Sequence, residues 1–314
     1  MKRRVIFEEL QNRNSTALGR TYEIFPLILP ELMTHSFENK ISPSFFHDFV
    51  KNKIVPEEIM PDFKLDPLYA QKQTAFDFYI QNGGCPAVSD LNLSPEDRTS
   101  LLSMYVKTFL ERDIRDLASF RDLEPFVRLQ RYLANTTGAL INYSHIAKDT
   151  GVTVPTVQRY VKYMELSYQV VSLPAWFSNP LKRLVKAPKV HFLDNGILKT
   201  VLQKNGPPTG NEFESAVIAE IYKQIQTYKL PYSCSHLRTI DGREVDLLLE
   251  ASDHFIAIEV KSSPHINKTD ARHLFNLQEI VNKPLKKSFI LSNDTSTHYF
   301  GDNIIAMHAA EFLC

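Results

Sequence analysis

The chain has 314 residues, and its 36 basic and 36 acidic side chains cancel, so no overall field draws in a polyanion and any nucleic-acid contact must come from local patches. The length provides for two or three domains. No apolar run nears the length of a membrane helix, which argues for a soluble cytoplasmic protein without a membrane partner. The three cysteines, Cys85, Cys234 and Cys314, are far apart and odd in number, which fits a reducing compartment rather than disulfides.

In chain order, Tyr22–Leu27 reads as a lone strand without a partner nearby. Ser44–Phe49 reads as a short helix, and Phe76–Ile80 as the apolar face of a helix stopped at Gly83-Gly84-Cys85-Pro86. Leu101–Leu117 has strong helical periodicity, with Leu101, Tyr105, Phe109 and Leu110 on one side.

From Arg121 to Gly210 the chain holds twelve basic residues against five acidic ones, a net charge of plus seven in a neutral protein. Here Tyr143–Thr150, a glycine turn at Gly151, and a second apolar stripe through Val157, Val161, Met164 and Leu166 spell helix-turn-helix, with Thr153 as cap and Pro155 in the first turn. Thr156, Gln158, Arg159 and Lys162 would lie on its open face, with types that reach phosphates and base edges. Gln169–Leu173 and Lys189–Leu193 read as wing strands, and Lys182, Arg183, Lys186 and Lys189 as a basic hairpin between and at them. The pattern predicts a winged helix whose basic wing binds DNA; the same module also serves for docking proteins.

Residues 210–229 repeat Phe213, Val217, Ile218, Ile221, Tyr222 and Ile225 at helical spacing. Strands are expected at Leu237–Ile240, Glu244–Glu250, Phe255–Lys261, Lys287–Asn293 and Asn303–Met307, with a helix over His265–Val281. In Glu244–Glu250, alternation puts Val245, Leu247 and Leu249 on one face and Glu244, Asp246 and Leu248 on the other. A hairpin over Ala251-Ser252-Asp253 would bring Asp246 beside Glu259 and Lys261. Two carboxylates and an ammonium so placed suit a phosphodiesterase using Mg2+ or Mn2+, and equally suit an ion pair at a sheet edge. His254, His265 and His273 have no ligand spacing and are expected at the surface.

Asp246 followed by Glu259-Val260-Lys261 resembles the signature of restriction-endonuclease-like, PD-(D/E)XK, nucleases. Gly19-Arg20, Pro26–Leu32, Gly83–Pro86, Leu110–Ile114, Asn179–Lys189 and Asp194-Asn195-Gly196 are similar to elements of AAA-like bacterial and archaeal ATPases with a C-terminal domain of the DUF4143 type. Asn195 stands where that family has threonine. The resemblance implies an α/β multidomain chain: an ATPase remnant over 1–35, a helical linking domain over 36–120, a winged helix-turn-helix over 121–208 and a nuclease-like domain with a mixed sheet over 209–314. It also implies catalytic roles for Asp246, Glu259 and Lys261, with Asp246 and Glu259 as metal ligands and Glu214, with Glu212 in reserve, as the acidic group of the first core helix. None of the ten glycines is followed by lysine, so the Gly-x-x-x-x-Gly-Lys phosphate loop is absent, no ATP binding is expected of this chain, and a truncated or split product is suggested. Two functions follow: a DNA-binding protein with a metal-dependent endonuclease-like site, or a non-catalytic adaptor for DNA or protein.

Overall fold

The computed structural model describes residues 23–34, 39–54, 60–109, 114, 123–178, 186–301 and 303–314. The Gly19-Arg20 element, Leu110–Asp113, and the Asn179–Val185 stretch with Lys182 and Arg183 lie outside the described residues.

The C-terminal third is a mixed six-stranded sheet. Its strands are β3 (Ser233–Arg238), β4 (Glu244–Glu250), β5 (Phe255–Val260), β6 (Leu285–Ser292), β7 (His298–Tyr299) and β8 (Ile304–His308), in the order β3-β4-β5-β6-β8-β7. The β3-β4-β5 meander is antiparallel, β5-β6 and β6-β8 are parallel, and β7 closes the edge antiparallel to β8. All six residues of β5 are buried, as expected of a central strand covered on both faces.

One face is covered by the 18-residue helix Gly210–Thr227, which buries Phe213, Val217, Ile218, Ile221 and Ile225 against Leu247, Leu249, Ile256 and Ile258. Its start is set by a capping box: the Thr209 hydroxyl accepts from the Glu212 amide, and the Glu212 carboxylate accepts from the Thr209 amide. The opposite face buries Ile266, Ala271, Leu274, Leu277 and Val281. This segment is not the expected helix. It winds through successive i to i+3 amide bonds, ends in a single 3-10 turn at Leu277–Glu279, and has Asn276 at φ +55°. Apolar residues three or four apart reach one face in either winding, so periodicity alone pointed to the commoner helix. The strand expected at Leu237–Ile240 also shifts, because Ile240 is fully exposed in the turn closed by Thr239 and Arg243.

The expected lone strand at Tyr22–Leu27 is not a strand over its described residues. The Leu27 amide donates to the Gly84 carbonyl at 2.7 Å, the Leu29 amide to Glu220 Oε1 at 2.7 Å, and Lys223 Nζ to the Leu27 carbonyl at 3.0 Å. Its polar backbone is therefore satisfied by a helix and a turn, not by a ladder. Phe25, Leu29, Phe46, Phe49, Phe63, Phe76 and Tyr79 belong to the same core as the sheet, whereas Cys85, Val88 and Leu102 belong to the core built around Glu124–Leu202, so residues 36–120 are shared between two cores.

That second core holds the helices Glu124–Asn135, Tyr143–Thr150 and Val154–Leu166 and the two-stranded antiparallel sheet of β1 (Val170–Leu173) and β2 (Lys189–Phe192). Gly151 takes a left-handed conformation between the second and third helices, and the Thr153 hydroxyl caps the third. The following helix, Asn195–Leu202, is tied back to Tyr69–Asn82. Asp194 accepts from the Gly84 and Ile197 amides at 2.8 and 3.0 Å, and a side chain at Gly83, φ +75°, would overlap that carboxylate. The two glycine motifs are thus halves of one structural joint.

Glu311, on the final helix Ala309–Leu313, is almost fully buried, and burial pushes its carboxyl up to about 7 against the pull of Lys72, with Asp66 and Asp62 adding to the rise. The folded chain then holds a proton that the unfolded chain releases above pH 4.5. Stability is full below that pH and is lost as pH rises through about 7, by roughly 2–3 kcal/mol. Glu311→Gln is expected to remove this loss: urea unfolding at about pH 8 should show the variant more stable than the parent, and the advantage should vanish near the unfolded-state value.

Candidate active site

The hairpin places Asp246 and Glu259 together, but by a route that alternation did not predict. Between the pairs Ser235–Leu248 and Leu237–Val245, β4 carries one residue more than β3, so it bulges at Asp246-Leu247. Val245 and Leu248 therefore share one core while Leu247 and Leu249 share the other, correcting the expected alternation. Asp246 Oδ2 accepts the Val260 amide at 2.9 Å, fixing the carboxylate across the strand from Glu259. Lys261 Nζ lies 2.6 Å from Glu259 Oε1, while Glu259 Oε2, on a side chain 4% exposed, has no hydrogen-bond partner.

Glu214, one turn into the Gly210–Thr227 helix, reaches the same centre; Glu212 is engaged in the capping box and with Lys204 at 2.8 Å. A fourth carboxylate, Glu244, completes the group. The four are joined by Lys189, whose Nζ stands 2.8 Å from Glu244 Oε1, 3.2 Å from Glu214 Oε1 and 3.4 Å from Asp246 Oδ1. Lys189 was expected among the DNA-facing cations of the wing. It is instead 4% exposed and turned into the protein, because β2 packs on the Gly210–Thr227 helix and the carboxylates stabilise its charge.

The electrostatics record an excess of negative charge. Two ammonium groups face four carboxylates, a formal balance of minus two in a largely buried centre. Burial, with Asp246 next, holds the carboxyls of both Glu214 and Glu259 above the usual range. For Lys189, burial opposes the charge, but Glu214, Asp246 and Glu244 outweigh it and its value rises. His191 and His236 lie beside this ammonium, and burial together with the Lys189 charge lowers them to about 3 and about 4, so both imidazoles are neutral at ordinary pH.

An all-oxygen donor set of this kind suits a hard divalent cation, and the unpartnered Glu259 oxygen offers a ligand position. Among the described residues no three His, Cys, Asp or Glu side chains stand grouped for metal ligation, and the Lys189 ammonium lies between three of the carboxylates. The donors fit Mg2+ or Mn2+ chemically; the position is contested by a cation of the chain itself.

Comparison with known families decides how these residues are distributed. Residues 73–207 match the family described as "Domain of unknown function (DUF8612)", and residues 209–312 match "Domain of unknown function (DUF4143)". The chain carries both domains. The DUF4143 domain supplies Glu214, Glu244, Asp246, Glu259 and Lys261, and the DUF8612 domain supplies Lys189. The chain is also 29% identical over 206 residues to Uncharacterized protein Rv2008c of Mycobacterium tuberculosis and, equally, to Uncharacterized protein Mb2031c of Mycobacterium bovis. Each alignment covers 62% of this chain and 45% of the relative, so the chain matches less than half the length of these curated relatives.

In the DUF8612 domain, Gln158, Arg159 and Lys162 are exposed on the Val154–Leu166 helix and Thr156 is half-buried; Lys162 pairs with Glu165 at 3.1 Å. Lys186 is exposed. Of the three histidines expected at the surface, His265 is exposed, whereas His254 is half-buried between Tyr232 and Asp253 and His273 meets the Glu244 carbonyl. Sequence reading missed Glu244, His191 and His236 as parts of the centre. Glu244 is two residues from Asp246, a spacing that could have marked it. Among the described residues the three cysteines are free, and no helix is long and apolar enough to cross a membrane.

Proposed function

We propose that this chain is a DNA-binding protein with a metal-dependent, endonuclease-like phosphodiesterase centre in its DUF4143 domain. The observation that carries this is the minus-two imbalance of the buried carboxylate group, with Glu214 and Glu259 raised and one Glu259 oxygen unpartnered. A structural ion network gains nothing from surplus buried charge, whereas a divalent cation cancels it. Asp246 and Glu259 are the ligands, and Glu214 supports them. The bound Mg2+ or Mn2+ would polarise the phosphodiester and lower the pKa of water.

Lys261, adjacent to Glu259 and one-third exposed, has a charge strengthened by Glu259, Asp246 and Glu214 despite burial. It orients the attacking water and stabilises charge developing on the phosphate. The DUF8612 domain, read as a winged helix, holds the duplex through Thr156, Gln158, Arg159 and Lys162, with Lys186 and the hairpin residues Lys182 and Arg183 on phosphates.

The non-catalytic adaptor is a second reading, favoured by the position of Lys189, which neutralises part of the cluster without metal. The experiment is incubation of the purified chain with supercoiled plasmid and Mn2+ or Mg2+. Nicking that requires the ion and stops with chelator is the expected result. No nicking, together with no Mn2+ uptake by calorimetry in the parent or in a variant lacking the Lys189 charge, would leave the adaptor.

A further inference from the structure

Two cations compete for the centre just described. Lys189 Nζ is within 3.4 Å of carboxylates from both the helix and β4, and its side chain is 5% exposed. A divalent ion bound by those oxygens would sit at about 2.0–2.6 Å from them, in the space the ammonium fills. Both cations cannot be held there, since the unit charge repels the ion across a poorly screened gap.

The ammonium comes from outside the sheet that carries the carboxylates. It is the first residue of β2, a strand anchored by the Val190 carbonyl accepting from the Gly138 amide at 2.8 Å and by its pairing with β1. Meanwhile the buried Glu259 Oε2 remains unpartnered, since Lys261 takes only Oε1. The arrangement is a cation site with one ligand unused and an internal cation in place.

We propose that Lys189 is a built-in plug: its ammonium holds the divalent-cation position, and the ion enters only when β2 withdraws it, so the DUF8612 domain controls whether the DUF4143 centre is loaded. This rests on the metal-centre reading above and adds its regulation. Withdrawal leaves the carboxylate group with one more uncompensated negative charge, which is what raises its affinity for the ion.

The test is Mn2+ binding by calorimetry to the full chain, its Lys189→Met variant and the double variant Lys189→Met/Asp246→Asn. Lys189→Met, close in volume and uncharged, is expected to bind Mn2+ at least about tenfold more tightly than the parent, and the double variant to lose that gain. Lys189→Gln serves the same comparison if the methionine variant does not fold. In the parent, reductive methylation followed by mass spectrometry reads the plug directly: Lys189 should be protected without metal and labelled as Mn2+ is raised to saturation. Equal Mn2+ affinity in parent and variants, with Lys189 still protected at saturation, overturns the plug and leaves the metal centre standing. Failure of every folded variant to bind Mn2+ removes the metal centre and the plug together.

Discussion

Replacing Lys223 by methionine is expected to lower the unfolding free energy by about 3–5 kcal/mol. Lys223 and Glu220 form an ion pair at 2.8 Å with both side chains fully buried. Glu220 Oε1 also accepts the Leu29 amide and the Gln224 amide group, Lys223 Nζ donates to the Leu27 carbonyl, and the ammonium stands 4.5 Å over the Tyr79 ring. Removing the lysine strands a carboxylate in the core and frees the 27–29 backbone that it and Glu220 hold. The double variant Lys223→Met/Glu220→Gln should recover part of the loss, because the uncompensated charge, and not the missing contact, dominates. Urea unfolding of the three proteins checks this. A loss under about 1 kcal/mol for the single variant would mean that water reaches the pair.

Asp246→Asn should reduce metal-dependent nicking by about a hundredfold or more and abolish Mn2+ binding with it, since the substitution keeps the shape but removes a ligand charge. Asn can retain the bond from the Val260 amide through its carbonyl oxygen, so the fold should survive and circular dichroism should be unchanged. Lys261→Ala should reduce nicking by about 10²–10³-fold while leaving Mn2+ bound, because its role is with the water and the phosphate and not with the ion. Plasmid nicking and calorimetry on the same preparations separate the two. If Lys261→Ala nicks as fast as the parent, the ammonium is only a partner of Glu259.

The elements that were legible in advance were those whose information is local. The helix at 210–227 has a capping box and an unbroken apolar stripe, and the hairpin of β4 and β5 has a four-residue connection and alternating strands. Asp246, Glu259 and Lys261 lie within sixteen residues of one another, so pairing the strands was enough to bring them together. The segment 265–281 was not legible in this way, because i+3 and i+4 windings bury the same residues and Asn276 alone does not announce a left-handed backbone.

Sequence by itself determined a mixed α/β domain at the C-terminal end, a helical middle, and the trio Asp246, Glu259 and Lys261, since strand period and hairpin length are short-range properties. Tertiary structure alone decided that Lys189 leaves the basic surface for the carboxylates, that β4 bulges at Asp246, and that residues 25–79 join the core of a sheet more than 150 positions later. Those outcomes depend on which distant surfaces meet. A buried ammonium is stable only where carboxylates from other elements surround it, and no pattern within Asn179–Lys189 encodes that company.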